Sequence, residues 1–585
     1  MADSDYLIVG AGAAGAVLAA RLTENPLITV VLAEAGRDLV PGREPADVMS
    51  LFPLSTFNGA YAWPGLEAHW LTAADSPALP FAQGRVVGGS STIMGMWAVR
   101  GVPNDYDDWA RAGANGWGWT DVLPFFRKLE TDCDFDGPLH GQDGPLPIRR
   151  QPQPDWPPLA KAMQVASARR GFAHIDDMNA DFSDGHCVLP ISRTATARAS
   201  AGLCYLNPSV RNRRNLRLLS RTTIDRLLFD GHRVVGAGAH TEDGGRIELR
   251  ARETIVTAGA LQTPALLMRS GIGPGAALQS CGVPVVEDHP GIGANLQNHP
   301  LLPVLAFLTR AGREPTGDRP PASTYLRWSS DVPGSTPGDM GLYIRSYLLW
   351  HALGRRMAML SPVLMRPASR GRVTLDRTNP AGSPVVEFNF LSDRRDLVRL
   401  IEALRFVSAL SGSGELATVC GPAFQLLNAN RLNRFNTLSR RNAFLAWLVT
   451  GCLDLWPAVG RTLFERLAEM RFIGTLGEDK TSLGDHIRST IIGTNHVCGT
   501  CRMGGARDPT AVVDTNGRVH RITGLRVADA SVMLNIPSGN THLPTVMVAE
   551  KIADSMRTDA VNSSFAGAAR GPQPATRPGA PQSGT

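Results

Sequence analysis

The chain has 585 residues, of which 43% are hydrophobic and 19% are charged, a composition that is ordinary for a globular protein with a large core. Its net charge is +6, and arginine supplies nearly all of the positive charges. The sequence has no dense basic run with interleaved aromatic residues, which argues against a nucleic-acid surface. No apolar run is long enough to span a membrane, and the eight scattered cysteines favour reduced thiols, so we expect a cytoplasmic protein.

The first predicted elements form a β-α-β unit at the start of the chain. Asp5–Val9 is a short apolar strand, an alanine- and leucine-rich helix extends to about Leu22, and Thr29–Ala33 is a second strand. The pattern G-x-G-x-x-G begins at Gly10, directly after the first strand and before the helix. This combination of strand, glycine-rich turn and helix is typical of dinucleotide-binding folds.

The spacing of the three glycines matches what a bound dinucleotide requires. Gly10 makes the tight turn, Gly12 lets the backbone approach a pyrophosphate, and Gly15 lets the helix pack on the strand. The N-terminus of the helix then faces the phosphates. Glu34 closes the second strand about twenty residues later, where a carboxylate accepts hydrogen bonds from ribose hydroxyls. The unit therefore predicts that the chain binds a dinucleotide.

Further strands and helices follow with long connections between them. The predicted strands are Leu216–Leu219, Thr223–Leu228, Val234–Ala239, Arg246–Leu249, Glu253–Thr257 and Val385–Phe390. Helices are predicted at Thr263–Ser270 and Arg394–Ser411, a loop rich in Gly, Pro and Ser at about Gly312–Asp339, and a disordered tail at 561–585. Two junctions between a strand and a turn of small residues lie far apart in sequence, so we expect one sheet to be assembled from distant segments.

Four sequence blocks resemble the signatures of one enzyme family. They are Gly84–Ser91 with Asp105–Trp109, Gly259–Pro274, Pro290–His299, and a C-terminal block that extends from His496 to Thr545. They occur in the family's order, and together they make the chain similar to the glucose–methanol–choline (GMC) family of FAD-dependent oxidoreductases. The segment Asp136–Gly141 makes it resemble most the bacterial aryl- and furfuryl-alcohol (5-hydroxymethylfurfural) oxidase branch.

The resemblance implies an α/β fold with two domains. One is a discontinuous Rossmann-like FAD-binding domain, expected at residues 1–300 and 495–557, with a substrate-side excursion near 150–190. The other is an α+β substrate-binding domain, expected at residues 301–494.

Residues 414–474 are longer and more apolar than the family leads us to expect, and we treat them as an insertion. Aromatic residues such as Phe444 and Trp447 lie beside arginines in this stretch. If exposed together, they suit an oligomer interface, a pocket cover or a peripheral membrane contact. The alternative is a pair of helices buried in the substrate-binding domain.

The resemblance also carries the family's FAD contacts onto this chain. The expected cofactor-binding residues are Gly10, Gly12, Ala13, Ala14, Gly15, Glu34, Ala35, Val87, Gly89, Ser90, Ser91, Ile224, Asp529, Ala530, Thr541 and Leu543. Ile93 stands where some members attach FAD covalently to a histidine, so non-covalent binding is expected. No second C-x-x-C pair accompanies Cys498 and Cys501, so no metal site is predicted.

Alcohol oxidation requires a base for the hydroxyl proton and an acceptor for the hydride. The resemblance puts His496 at the place of the base, and imidazole suits this role because its ordinary pKa lies near physiological pH. His542 matches the second active-site position of the family, where it would hold the substrate oxygen and share its developing negative charge. The expected reaction transfers a hydride from the carbinol carbon of a small-molecule alcohol to flavin N5.

The sequence leaves the electron acceptor open between two alternatives. An oxidase passes the electrons to oxygen, whereas an alcohol or choline-type dehydrogenase passes them to a quinone or another acceptor. The oxidase-like branch favours oxygen, and we expect an oxidase. Met94, which stands where many members have asparagine, and the apolar insertion favour a dehydrogenase. Activities of the hydroxynitrile-lyase type or the photodecarboxylase type are further alternatives within the family.

Overall fold

Two large β-sheets organise the chain, with helices packed around them. The computed structural model describes residues 3–314, 317–428, 436–455, 469–477 and 479–568. Within these residues one sheet has seven strands and the other has ten. The α-helices are Ala13–Leu22, Ala46–Met49, Ser90–Ile93, Pro103–Arg111, Trp119–Leu129, Pro158–Ala168, Ala201–Tyr205, Pro208–Arg211, Gly259–Arg269, Gly275–Ser280, Arg394–Ser411, Gly414–Ala417, Arg440–Leu455, Lys480–Thr490 and His542–Ala568.

The seven-stranded sheet contains the predicted β-α-β unit. Its strands lie in the spatial order Leu216–Leu219, Val30–Ala33, Ser4–Val9, Arg246–Val256, Arg233–Thr241 and Thr222–Asp230, and Leu525–Val527 pairs with Arg246–Val256. Ser4–Val9 is parallel to both of its neighbours. Leu525–Val527, near the end of the chain, is also parallel to its partner. The carboxyl ends of these parallel strands therefore meet at one edge, which is where open α/β sheets bind ligands.

The predicted elements of this sheet are present, with one correction. Arg246–Leu249 and Glu253–Thr257 are not separate strands but parts of one strand, Arg246–Val256. Its first half pairs antiparallel with Arg233–Thr241, and its second half pairs in parallel with Ser4–Val9. The charged residues between the two halves suggested that the strand is interrupted there. They nevertheless belong to one continuous strand, because each half pairs with its own neighbouring strand.

The ten-stranded sheet is mostly antiparallel. Its strands lie in the order Glu469–Phe472, Phe424–Asn428, Leu305–Phe307, Met357–Leu364, Met340–Arg345, Thr324–Trp328, Gly185–Val188 and Ala173–Ile175, with Pro300–Leu301 and Ile492–Gly493 attached beside Met357–Leu364. The stretch Gly312–Asp339 is thus not a loop throughout, because Thr324–Trp328 is paired on both sides. Strands from 173–188 join this sheet, in the region where the sequence predicted a substrate-side excursion.

Smaller sheets and one predicted helix complete the fold. The paired short strands are Glu67–Ala68 with Leu79–Pro80, Glu130–Asp132 with Leu146–Arg149 and Ile191–Ser192, Ile272–Gly273 with Glu287–Asp288, and Arg372–Thr374 with Val385–Glu387. The strand predicted to extend to Phe390 therefore ends at Glu387. The helix predicted at Arg394–Ser411 has those bounds, whereas the one predicted at Thr263–Ser270 already begins at Gly259.

The described part of 414–474 is not a pair of buried helices. Phe424–Asn428 and Glu469–Phe472 pair antiparallel at the edge of the ten-stranded sheet, and Arg440–Leu455 is a helix. Phe444 and Trp447 on that helix are 58% and 62% exposed and stack on each other. Residues 429–435 and 456–468, which carry the rest of the predicted apolar stretch, lie outside the described residues.

The last helix, His542–Ala568, reaches back to the start of the chain. It packs on Ala13–Leu22, and Glu550 receives a salt bridge of 2.8 Å from Arg21. The helix also continues into the tail that was predicted to be disordered from residue 561, while residues 569–585 are outside the described part. Among the described residues, no helix combines the length and the hydrophobicity needed to cross a bilayer.

Candidate active site

A cavity of about 660 Å³ lies between the two large sheets. Gly10 and Glu34, from the edge of the seven-stranded sheet, line part of it. Tyr343 and Met359, from the ten-stranded sheet, line another part. The cavity thus joins the predicted dinucleotide turn to the sheet of the predicted substrate-binding domain.

The glycine turn after the first strand is shaped for close approach. Gly10 has a φ of +101°, and a Cβ there would lie 2.7 Å from the carbonyl oxygen of Thr257. A Cβ on Gly15 would lie 1.9 Å from the carbonyl oxygen of Gly10, so only glycine lets the helix pack on the turn. Gly12 caps the helix without a side-chain hydrogen bond, and a Cβ there would meet nothing closer than 3.9 Å. The first N–H groups of the helix can therefore receive an anion from the open side.

A second glycine-rich loop closes against the first. The backbone N–H of Gly88 donates to the carbonyl oxygen of Ala11 at 2.7 Å. A Cβ on Gly89 would lie 2.9 Å from the Cα of Gly12, so the two loops can approach this closely only because residue 89 is a glycine. The hydroxyl of Ser90 accepts from the N–H of Gly84 at 3.1 Å and fixes the start of the short helix that follows. Together the loops form a backbone cradle beside the cavity.

Two buried carboxylates line the same cavity. Glu34 accepts hydrogen bonds from the N–H groups of Ala11 at 2.9 Å and Gly36 at 2.8 Å, and burial raises its pKa to about 7. Asp529 accepts from the N–H of Gly259 at 2.8 Å and the hydroxyl of Thr263 at 2.6 Å, and burial raises its pKa as well. Each carboxylate keeps lone pairs for further donors. Two acceptors and a helix N-terminus fit the hydroxyls and pyrophosphate of FAD.

Most of the predicted cofactor residues line this cavity. They are Gly10, Gly12, Ala13, Ala14, Glu34, Ala35, Gly89, Ser90, Ser91, Ile224, Asp529, Ala530 and Thr541. The other three, Gly15, Val87 and Leu543, do not line it. Val87 and Leu543 belong to the core, and Gly15 acts through helix packing. Of the two positions where the chain departs from the family, Met94 lines the cavity and Ile93 is buried beside it.

His496 lines the cavity and is held at both ring nitrogens. Its Nδ1 lies 2.9 Å from Nδ1 of His299, and its Nε2 lies 2.9 Å from Nδ2 of Asn540. Its backbone N–H donates to Oδ1 of Asn298 at 3.1 Å. Burial lowers the pKa of His496 to about 3, and burial together with His496 lowers that of His299 well below its ordinary value. Both rings are therefore neutral near pH 7.

Proton positions in this network follow from one carbonyl group. Nε2 of His299 lies 3.1 Å from the carbonyl oxygen of Pro537, which can only accept, so this nitrogen carries the proton. Because His299 is neutral, its Nδ1 is an acceptor, and Nδ1 of His496 must donate to it. Nε2 of His496 is then left without a proton, with its lone pair toward the amide of Asn540. The network therefore leaves Nε2 as the nitrogen of His496 that carries no proton.

The structure brings Asn540, rather than His542, to His496. His542 lines the same cavity at the first residue of the last helix, but no described hydrogen bond joins it to His496. Its pKa is lowered to about 4, first by burial and then by the positive charge of Arg198. Asn540 and His299 were not among the site residues predicted from the sequence. Both lie inside blocks that resemble the family, so their position in a motif was the only available signal.

Comparisons with known proteins agree with this site. The N-terminal and C-terminal models of GMC oxidoreductases match residues 4–301 and 367–549. A 5-(hydroxymethyl)furfural oxidase from Methylovorus sp. is 37% identical over 95% of this chain and 99% of its own. An oxygen-dependent choline dehydrogenase from Pseudomonas fluorescens is 32% identical over 95% and 94%. The structure of pyridoxine 4-oxidase from Mesorbium loti superposes with a TM-score of 0.79 at 27% identity, covering 95% of this chain and 99% of that one.

Proposed function

Because the chain belongs to the GMC oxidoreductase family, we propose that it is an FAD-dependent alcohol oxidase in which His496 is the base and Asn540 holds the substrate oxygen. Family membership confirms the resemblance found in the sequence, and with it the α/β fold and the FAD-dependent action on CH–OH groups. The observation that carries the proposal is the position of His496, which lines the cavity with its ring held between His299 and Asn540.

His496 is suited to remove the hydroxyl proton of an alcohol. Its lowered pKa keeps the ring neutral near pH 7, with its single proton on Nδ1, so Nε2 needs no preceding deprotonation. When Nε2 takes the proton, Nδ1 keeps donating to His299, so the ring does not have to turn. FAD bound along the cradle supplies the acceptor for the hydride that leaves the carbinol carbon.

Asn540 is suited to stabilise the substrate oxygen as its proton leaves. Its side-chain amide has two N–H bonds, and only one is used toward Nε2 of His496. The second can donate to an oxygen placed beside the same nitrogen, where negative charge grows during the reaction. His542, predicted for this role from the sequence, remains a proposed member of the site at the positive end of the last helix.

The apolar part of the cavity lining would limit the access of water to the reaction. Met94, Met96, Trp97 and Leu301 line the cavity with apolar or aromatic surface. Fewer competing hydrogen bonds make the contacts of the base and the amide with the substrate stronger. We propose that FAD is held there without a covalent link, since the buried Ile93 offers no nucleophile.

The proposed electron acceptor is oxygen. The 37% identical relative is an oxidase, and this similarity favours the same half-reaction here. The alternative is a dehydrogenase that uses a quinone or another acceptor, and the apolar thioether of Met94 in the cavity is the observation that favours it. We further propose that the protein is cytoplasmic. We also propose that residues 414–474 make a peripheral membrane or oligomer contact, and the exposed side chains of Phe444 and Trp447 support this contact.

An alcohol panel tests the proposed function directly. The purified holoenzyme is mixed with primary aryl alcohols without oxygen, and loss of flavin absorbance near 450 nm is followed. Bleaching by an alcohol, followed by recovery and hydrogen peroxide release in air, is the expected result. Bleaching that persists in air but reverses with a quinone would identify a dehydrogenase. If no alcohol bleaches the flavin while dithionite does, the proposed function is wrong.

A further inference from the structure

Arg198 is a fully buried arginine that lacks a carboxylate partner among the described residues. Its side chain is 1% exposed, and its Nε and Nη2 are shielded from solvent without a hydrogen-bond partner. It is the only arginine in the described part of the chain with two such nitrogens. Arg100, which is equally buried, forms a salt bridge with Glu130. Arg198 therefore carries a buried charge that its surroundings leave uncompensated.

The guanidinium of Arg198 keeps its charge despite this burial. Burial lowers the pKa of Arg198 to about 10, which is still well above neutral pH. Asp318 is the carboxylate whose charge acts on it, but the oxygens of Asp318 accept from the hydroxyl of Ser50 and the N–H of Leu51. A buried charge of this kind destabilises the folded protein. This cost is offset when a negative charge comes close to the guanidinium.

The guanidinium lies directly behind the wall of the cavity. Its Nη1 donates to the carbonyl oxygen of Met94 and, at 3.5 Å, to that of Ser91. Ser91 and Met94 both line the cavity. Burial first, and then the charge of Arg198, lowers the pKa of His542, which lines the cavity as well. The positive charge thus acts on the cavity surface between Ser91, Met94 and His542.

The last helix adds positive potential at the same place. His542 is the first residue of the helix His542–Ala568, and the first N–H groups of a helix have no partner within it. The helix dipole adds partial positive charge at this end. Glu34 and Asp529 are the acidic residues among the described cavity lining, and neither forms an ion pair with Arg198. This wall of the cavity therefore attracts negative charge.

The ring end of FAD fits this wall. The glycine loops at Gly12 and Gly89 fit the pyrophosphate, and the reacting ring has to reach the proposed base His496. Ser91 and Met94 follow the second loop in the chain and line the same cavity. A flavin ring that joins the pyrophosphate to the base therefore passes this wall.

We infer that Arg198, together with the N-terminus of the last helix, stabilises the negative charge of the reduced flavin and so raises its reduction potential. A hydride delivers two electrons and one proton to N5, and the ring then carries one negative charge as long as N1 binds no proton. A positive charge near the ring favours this state over the oxidised one. Arg198 does not itself line the cavity, so it acts through its electric field across the loop and touches neither flavin nor substrate.

Two variants separate the charge of Arg198 from its hydrogen bonds. The side chain also holds the carbonyl oxygens of Ser91 and Met94, so its loss changes the loop as well as the field. Arg198→Gln keeps an N–H donor for these carbonyl groups but has no charge. Arg198→Lys keeps the charge but not the planar fork of donors. An electrostatic role predicts different results for the two variants, whereas a structural role predicts similar ones.

Sulfite binding at pH 7 measures the effect of the charge on the oxidised holoenzyme. Sulfite adds to flavin N5 with its own electron pair and leaves a negative charge on the ring, so its affinity follows the stabilisation of that charge. Its dissociation constant is obtained from the loss of flavin absorbance near 450 nm. Arg198→Gln should weaken sulfite binding by about 10-fold or more, because a unit charge acts strongly across a wall that contains little water. Arg198→Lys should stay within about threefold of the wild type.

The reduction potential of the bound flavin provides a second measurement. A tenfold effect corresponds to about 30 mV for a two-electron couple, and the potential of Arg198→Gln should fall by at least this amount. Arg193→Met is the matched control, because Arg193 bonds the carbonyl oxygens of Thr194 and Ala195 in an exposed segment. It should leave the sulfite affinity and the potential as in the wild type.

The results distinguish this inference from a structural role and from the proposed function. Equal losses in Arg198→Gln and Arg198→Lys, or wild-type values in Arg198→Gln, would overturn the inference. If Arg198→Gln does not retain FAD, Arg198→Lys decides alone. Its potential should match the wild type at pH 6 and fall below it toward pH 9, as the buried lysine loses its proton, and a constant difference would refute the role of the charge. Neither measurement uses an alcohol, so an enzyme that oxidises no alcohol would refute the proposed function without affecting this test.

Discussion

His140 and His496 are both buried histidines, but their surroundings give them opposite charges. Nε2 of His140 lies 2.6 Å from Asp177, and its Nδ1 lies 3.1 Å from Asp132. Burial alone would lower the His140 pKa, but the carboxylates of Asp132, Asp177 and Glu130 around its ring raise it to about 10. His496 has a second histidine and an amide as its ring partners, so burial lowers its pKa to about 3.

The difference shows how the same side chain serves structure in one region and chemistry in another. Around His140, the arginines Arg100 and Arg150 pair with Glu130 and Asp132, so the whole cluster is a network of opposite charges. Such a network stabilises the fold but leaves the imidazole protonated near pH 7. Around His496, neutral partners fix the ring and leave Nε2 unprotonated, where it accepts a hydrogen bond from Asn540.

Removal of the His496 ring should have the largest effect. In His496→Ala the cavity loses its base, while the glycine cradle and both carboxylates that fit FAD remain. Flavin reduction by a good alcohol should slow by about 10²–10⁴-fold. Anaerobic rapid mixing measures the rate, and the absorbance of released flavin checks that FAD is retained. Near-normal reduction would remove His496 from the role of the base. If reduction is normal and only reoxidation slows, His496 acts in the oxygen step instead.

A carboxylate placed beside His496 should make it resemble His140. In the wild type, a pKa of about 3 keeps His496 neutral. Its titration should therefore cause no change in the rate of flavin reduction between pH 5 and 9. In Asn540→Asp, a charge 4 Å away contributes up to about 4 kcal/mol, or roughly three pKa units. The His496 pKa then rises toward 6, and the rate should fall about 10-fold from pH 8 to pH 5. The control Asn540→Ala should reduce its flavin more slowly than the wild type, but its rate should not fall further between pH 8 and pH 5. If the pH profile of Asn540→Asp is identical to that of this control, the expected effect of the carboxylate on His496 is wrong.

Removal of His140 should affect stability more than catalysis. The pKa of His140 is about 10 in the folded chain against 6.5 for the free side chain, so its contribution is complete below pH 6.5 and is lost as the pH rises toward 10. His140→Gln breaks a buried charge network, which costs on the order of 3 kcal/mol and should lower Tm by about 2–3 °C at pH 6.

Thermal scans of His140→Gln at a fixed rate, at pH 6 and pH 10, measure this effect. The Tm difference from the wild type should shrink at pH 10, where the wild-type ring also loses its proton. His232→Gln, at a histidine whose side chain is 65% exposed, is the matched control and should shift Tm little at either pH. A difference that grows toward pH 10 would show that His140 is neutral when folded.

The sequence predicted the cofactor half of the molecule better than the substrate half. The turn at Gly10, the acid at Glu34 and the proposed base His496 lie in motifs that resemble those of the family, and all three residues line the cavity. The residue that contacts His496 was harder to predict, because Asn540 and His542 are two residues apart and both are polar. Only the backbone just before the last helix decides that the amide, and not the imidazole, reaches Nε2 of His496.

The remaining errors came from positions whose role depends on distant partners. Arg246–Leu249 and Glu253–Thr257 were predicted as two strands, but they form one strand because each half pairs with a different distant neighbour. The strand Thr324–Trp328 lies in a stretch rich in Gly and Pro, and it forms because neighbours from residues 185–188 and 340–345 pair with it. Pairing across long sequence distances overrides local composition in both cases.

The contact between the first and last helices has a consequence for how the chain is made. Ala13–Leu22 is almost entirely buried, and its packing partner His542–Ala568 and the strand Leu525–Val527 emerge from the ribosome about 500 residues later. At typical rates of synthesis this interval is on the order of 25–100 s. Throughout it, the apolar face of the nascent dinucleotide unit has no final partner and is open to chaperones or to aggregation. Translation speed in the last tenth of the message should therefore influence how much of the protein folds.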